Sequence, residues 1–325
     1  MPQSELELAL DALRRGECVG LPTETVYGLA ADGTNPSAIG RIFAIKGRPA
    51  NHPLILHIGQ VSWLKRYCVR VPQSAYLLTE RFWPGPLTLV LWRADSIPDE
   101  LTGGLDTVAV RMPAHDVALG VLRALDKPLA APSANRFGAV SPTCRAHVVG
   151  DFGDEVPLVL EGGACAIGVE STILDLTREI PRVLRPGGVT RGELEGVLQC
   201  EVAGDDGQGP PAPGTLESHY SPRARVQVLS ADRLESTWAS LSGDVARVGV
   251  MCPSALLSPA FAQSRGRHIS WGHTPEAAAR SLYRSLRALD EEGCDHILVV
   301  APPVDGIGAA LADRLKRASA VNEES

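Results

Sequence analysis

Lys46 and Arg48 stand two apart around Gly47, at the exit of the stretch Leu21–Pro49. The same stretch carries Thr23, Glu24, Thr25 and Tyr27 directly behind a short apolar segment. Two cations on a short loop can clamp a polyphosphate, the arginine as a planar fork and the lysine as a point charge. A solvated basic helix end has the same composition. Ser133-Ala134-Asn135 follows an apolar segment and precedes Gly138 and Ser141-Pro142-Thr143, a cluster that suits hydrogen bonding to phosphate or ribose and equally suits an ordinary hydroxyl turn. Glu170-Ser171-Thr172 has the same two readings. His57 interrupts an apolar run, as a core histidine does. Arg111 ends another apolar run, where a guanidinium needs a carboxylate or phosphate partner.

No GxxxxGK[ST] is present and no GxGxxG follows a strand, so neither a P-loop nor a dinucleotide site is indicated. His147, His219 and His273 lack metal-ligand spacing, and no Ser/His/Asp or Cys/His arrangement stands out. Cations and hydroxyls without a nucleophile favour chemistry run by positioning and charge stabilisation, as in nucleotidyl or phosphoryl transfer.

The elements that must hold these groups come from pattern. Ser4 to Arg15 has a helical apolar stripe (Leu6, Leu10, Leu13) with Ser4 and Glu7 spaced as a capping box. Asn35-Pro36 opens a second helix running to Lys46-Gly47. Strands are expected at Cys18–Leu21, Leu54–Ile58, Leu87–Trp92, Thr107–Met112, Leu158–Leu160, Thr172–Leu176 and Arg182–Leu184, with Leu129–Pro132 extended. Helices are expected at Pro72–Phe82, Val117–Leu125 and from Thr190 through Leu198. Glu201–Pro222, rich in Gly, Pro and Asp in its first half, reads as a linker. Beyond it, strands at Val226–Leu229, Ala246–Met251 and His296–Val300 alternate with a long helix after Thr274-Pro275 and another over Asp305–Ala318, a parallel α/β layout. The division is thus a mixed α/β domain over 1–200, a linker over 201–222 and a smaller α/β domain over 223–325.

With 325 residues, 44% hydrophobic and 21% charged, the chain is globular and long enough for two cores. Residues 1–200 hold 19 Lys/Arg against 22 Asp/Glu and residues 201–325 hold 12 against 16, so neither part has the basic excess of a general nucleic-acid binder. The seven cysteines are scattered without a CxxC pair, and most read as small buried hydrophobes. The N-terminus lacks a secretory layout and no apolar run spans a bilayer, so a cytoplasmic setting is expected.

LPTETVYGLA, KGRP followed by HPLILHI, FWPGPLTLVL, VAVRMP, APSANRFGAVSPT, GVESTI and LRPG occur in that order. Together they closely resemble the threonylcarbamoyl-adenylate synthase (YrdC-like) family, and APGTLESHYSP with the added α/β domain resembles its long two-domain form. The resemblance implies a twisted mixed α/β domain around a large, concave, positively charged cavity, a linker, and a C-terminal Rossmann-like α/β domain. It implies a reaction joining L-threonine, bicarbonate and ATP, with Mg²⁺, into threonylcarbamoyl-AMP and pyrophosphate. That product feeds tRNA N6-threonylcarbamoyladenosine through a separate transferase complex. By the same resemblance Lys46, Arg48, Ser133 and Asn135 handle the nucleotide, with His52, Ser141, Arg185 and Tyr220 as further ATP contacts. Thr25, His57, Arg111, Ala131 and Ser171 look like the threonine contacts. The expected chemistry is attack of a carbamate oxygen on the α-phosphorus, Lys46 and Arg48 stabilising the phosphate charge. The linker is expected to act as a lid that brings Tyr220 to the site. Thr215 after Gly214 departs from the bulkier residue usual there. Two other readings stay open: a carbamoyltransferase working through a carbamoyl-adenylate, and a non-catalytic RNA-binding module with a weak tRNA contact.

Overall fold

The computed structural model describes residues 3–204, 209–214, 219–241, 247–256 and 267–320. Thr215 and Leu216–Ser218, singled out above, lie outside the described residues. Two compact units are present: one of residues 1–137, 141–166 and 170–215, the other of 138–140, 167–169 and 216–325.

The first unit is built on strands β1 (Val19–Leu21), β2 (Gly28–Asp32), β3 (Ile55–His57), β4 (Cys68–Val69), β5 (Leu87–Arg93), β6 (Thr107–Arg111), β7 (Leu129–Ala130), β8 (Thr172–Asp175) and β9 (Arg182–Arg185). They form a single mixed sheet in the order β1-β2-β7-β3-β6-β5-β8-β9, with β4 on β5. β3 pairs parallel with β6 and β5 with β8, while the other neighbours are antiparallel. Alternation along the strands sorts the side chains. Leu56, Leu87, Leu89, Leu91, Val108, Val110 and Leu174 enter the main core, which also takes Ile39 and Ile42 from the helix Pro36–Lys46, Leu78 from Gln73–Phe82 and Leu194 from Arg191–Leu198. The alternate residues Ile55, Val90, Ala109 and Ile173 make a smaller patch with Leu184 on the opposite face. His57, Thr88 and Arg111 share the parity of that second patch, so the strand period itself gathers them on one face.

Asn35 caps the second helix through its side chain, with Pro36 in the first turn, and Gly47 closes it in the left-handed conformation at φ 63°. Thr190 and Glu193 form a full capping box. Several expectations need correcting. Ser4 lies inside the helix Gln3–Arg14 rather than capping it. Leu158–Leu160 forms no strand; Val159 makes one isolated bridge to Gly20. The last helix begins at Gly308, not Asp305. β2, the helix Arg145–Phe152 and a strand at Arg267–Ser270 were not anticipated, because their small, polar or short sequences carry little intrinsic preference and tertiary pairing decides them.

The second unit has a four-stranded parallel sheet of β10 (Arg225–Leu229), β11 (Val248–Cys252), β12 (Arg267–Ser270) and β13 (His296–Val300) in the order β10-β13-β11-β12. The helix Pro275–Glu291 is capped by Thr274 and buries Ala278, Leu282, Leu286 and Leu289 on one face. Gly168, with φ +83°, passes so close to this helix that a Cβ there would lie 2.5 Å from the Ala279 carbonyl oxygen.

Candidate active site

Lys46 and Arg48 are not a solvated helix end: both are buried, 2% and 8% exposed. The Lys46 ammonium donates to the backbone carbonyls of Ser133 and Asn135, and its own carbonyl accepts from Phe137 N–H at 2.8 Å. Among the described residues no carboxylate pairs with Lys46. Burial, and then the neighbouring Arg48 charge, push its pKa well below the usual lysine range. Arg48 donates to the Pro53 carbonyl at 3.0 Å and lies over the Phe137 ring, 5.8 Å from its centroid. His52, half-buried, meets the same ring edge-on at 5.6 Å. Burial first, and then Arg48, lower its pKa. Ser133 is half-buried and bridged to Gly28, while Asn135 is buried and donates to the Arg136 carbonyl at 2.7 Å. The Ser-Ala-Asn segment is thus drawn onto the lysine by backbone as much as by side chain.

The second group lies on the sheet face described above. His57 faces Arg111 across the β3–β6 pair. Its imidazole is buried, and desolvation, followed by the Arg111 charge, lowers its pKa to about 3, so it is neutral. Arg111 Nε donates to the Gly85 carbonyl at 3.2 Å, and Nη2 lies 2.7 Å from Glu24 Oε1. Gly85 is held in turn by its N–H on the Met112 carbonyl at 2.8 Å. A Cβ on Gly85 would sit 2.1 Å from the Phe82 oxygen, so the Trp83-Pro84-Gly85-Pro86 turn requires glycine there. Thr25 is fully buried, its Oγ1 2.9 Å from Thr23 Oγ1. Ala131 N–H donates to the Ile55 carbonyl at 3.1 Å, tying the end of β7 to β3. Ser171 Oγ lies 2.7 Å from Thr88 Oγ1.

Arg185 connects this face to the linker. Its Nη2 donates to the Ser171 carbonyl at 2.9 Å and its Nη1 to the Pro213 carbonyl at 2.8 Å. Ala212 packs on the Ile55–Val90–Ala109–Ile173–Leu184 patch. Residues 209–214 thus pack within the first unit, through Ala212 and the Pro213 carbonyl. Ser141, also buried, donates to Glu170 Oε1 at 2.7 Å. Tyr220 belongs to the second unit, where it is buried, stacks on Tyr283 with centroids 5.6 Å apart, and lies beneath the Arg314 guanidinium.

Glu24 is the residue whose role sequence reasoning left unassigned. The sequence places a carboxylate between two threonines, but its partner lies 87 positions away, beyond the reach of any local pattern. Burial pushes the thiols of Cys18, Cys68 and Cys165 up to about 12, which keeps these three from acting as nucleophiles. Among the described residues no group of three or more His, Cys, Asp or Glu is placed to hold a metal.

This sheet, with its buried cations on one loop and its polar face, defines a catalytic domain of the YrdC type. A family model described as telomere recombination, covering Sua5, YciO and YrdC, matches residues 11–187, and one described as the C-terminal domain of threonylcarbamoyl-AMP synthase matches residues 189–320. The chain belongs to the threonylcarbamoyl-AMP synthase family. It is 40% identical to the threonylcarbamoyl-AMP synthase of Pyrococcus abyssi, over 97% of this chain and 94% of that one. It is 38% identical to the Bacillus subtilis protein of that name, over 97% and 93%. The crystal structure of P. abyssi Sua5 complexed with L-threonine superposes with a TM-score of 0.91 at 39% identity, covering 98% of this chain and 95% of that one.

Proposed function

We propose that this chain is a threonylcarbamoyl-AMP synthase, a nucleotidyltransferase that joins L-threonine, bicarbonate and ATP into threonylcarbamoyl-AMP and pyrophosphate. The observation that carries the reading is the buried, under-neutralised Lys46 on the carbonyls of Ser133 and Asn135, in a chain related over both units to synthases of that name. Burial and the Arg48 charge disfavour the charged form of Lys46, so arriving phosphate oxygens supply the negative partners that its surroundings hold back.

In this reading Lys46 and Arg48 hold the triphosphate, with Ser133, Asn135, His52, Ser141, Arg185 and Tyr220 as further nucleotide contacts. Arg111 takes the threonine carboxylate, and Thr25, His57, Ala131 and Ser171 complete that subsite. Carbamate oxygen attacks the α-phosphorus while the two cations stabilise charge on the α-phosphate and the departing pyrophosphate. Each such contact, made mainly in the transition state, is worth on the order of 2–4 kcal/mol. Mg²⁺ enters the reaction with ATP, as a counterion of the triphosphate and so a substrate component. The product would pass to a transferase that modifies tRNA. All seven cysteines are free, which suits a reducing cytoplasm.

The test is ATP conversion to AMP and pyrophosphate, with threonine and bicarbonate each withheld in turn. The reading requires both; turnover indifferent to either one sinks it.

A further inference from the structure

Glu24 is a buried carboxylate with one ion-pair partner and no hydrogen bond. It is 6% exposed, and its Oε1 lies 2.7 Å from Arg111 Nη2. No guanidinium N–H is aligned along that contact, and neither carboxylate oxygen accepts a hydrogen bond. Buried ionised groups are normally both paired and hydrogen-bonded, so this one has acceptor capacity waiting for a donor. The side chain is borne on a restrained turn: Thr23 Oγ1 donates to the Val26 carbonyl at 2.6 Å and accepts from the N–H groups of Thr25 and Val26 at 3.2 and 3.3 Å. Arg111 is equally fixed through Gly85. His57, directly across the sheet register from Arg111, is buried beside it.

A guanidinium beside a carboxylate is the charge mirror of an amino-acid zwitterion. If the substrate carboxylate sits on Arg111, the α-ammonium lies two bonds from that carboxylate, within reach of the carboxylate of Glu24, which itself lies 2.7 Å from the guanidinium. We propose that Glu24 receives the α-ammonium group of the amino-acid substrate and accepts its proton. The inference rests on the reading of threonine as substrate given above. In the step, one N–H bond breaks, its electron pair stays on nitrogen, and the proton moves to a Glu24 carboxylate oxygen. The free amine then attacks the carbon of bicarbonate. An N–C bond forms, the bicarbonate hydroxyl leaves with a second amine proton as water, and an N-carboxylate remains. Glu24 later gives its proton to solvent. An amine that stayed protonated would have no pair for this attack, so the group that takes the proton belongs in the site.

Calorimetry on the full chain tests this with L-threonine and with 2,3-dihydroxybutanoate, in which a hydroxyl replaces the amine. The wild-type chain should bind threonine at least tenfold more tightly than the analogue. Glu24→Gln should weaken threonine at least tenfold while changing the analogue less than twofold, and should cut the rate at saturating threonine. Equal binding of the two ligands by the wild-type chain overturns the proposal, even if Glu24→Gln does not fold. Threonine bound as well or better by Glu24→Gln also overturns it, and would make Glu24 a stand-in for the substrate carboxylate. Glu24→Asp, which keeps the charge, should retain the preference for the amine. If the wild-type chain forms no threonylcarbamoyl-AMP, the functional reading fails; if it does and Glu24→Gln is unaffected, only the role of Glu24 fails.

Discussion

His57 lies opposite Arg111 across the parallel β3–β6 pair, and its imidazole is neutral because it is buried and because a guanidinium is its neighbour. Its folded pKa is about 3 against an ordinary 6.5. Between those values the unfolded chain binds a proton that the folded chain does not, so stability rises with pH across the window. It falls as pH drops from about 6.5, by up to about 1.4 kcal/mol per pH unit, until the folded pKa is reached. Urea midpoints at pH 7 and pH 5 should show a loss for the wild-type chain that His57→Gln lacks. Equal losses in both would mean that other groups set the acid limb.

Lys46→Ala and Arg48→Ala should each lower the rate of pyrophosphate release by about 10²–10³-fold, the equivalent of one lost charge-assisted contact in the transition state. Lys65→Ala and Arg66→Ala should stay within twofold, since Lys65 is exposed and Arg66 meets Asp126 and the Trp63 ring at the surface. Similar effects at the two pairs would remove Lys46 and Arg48 from the site.

Arg185 is held between the Ser171 carbonyl and the Pro213 carbonyl. A chain ending at residue 205 strips Pro213 from this arginine and Ala212 from the apolar patch beneath it. ATP turnover should fall at least tenfold in that truncation. Full activity of residues 1–205 would show that the segment 209–214 is dispensable.

Gly168→Ala should destabilise the second unit by roughly 2–4 kcal/mol, through a positive φ and overlap with the Ala279–Arg280 backbone. Gly150→Ala, inside the helix Arg145–Phe152 with open space around the added methyl, should be neutral or stabilising by up to about 1 kcal/mol. Thermal melts of both variants check the contrast.

Local chemistry was enough to place much of this molecule from its residues. The Asn35-Pro36 and Thr190/Glu193 caps, the Thr274-Pro275 helix start and the apolar runs carrying His57 and Arg111 act within a turn or a strand, and each lies where the pattern puts it. The motifs also carried family membership, because their order along the chain needs no coordinates. Tertiary structure alone decided what lies far apart in sequence. It buried Lys46 and Arg48, which locally read as a surface end, by bringing Ser133 and Asn135 onto the lysine. It made strand β2 out of Gly28–Asp32, a sequence of weak propensity, by supplying partners on both sides. It laid residues 209–214 on the sheet through Arg185, and it answered the need of Arg111 for a carboxylate with Glu24. Long-range pairing has no sequence period, so these contacts exist only once the sheet order is set.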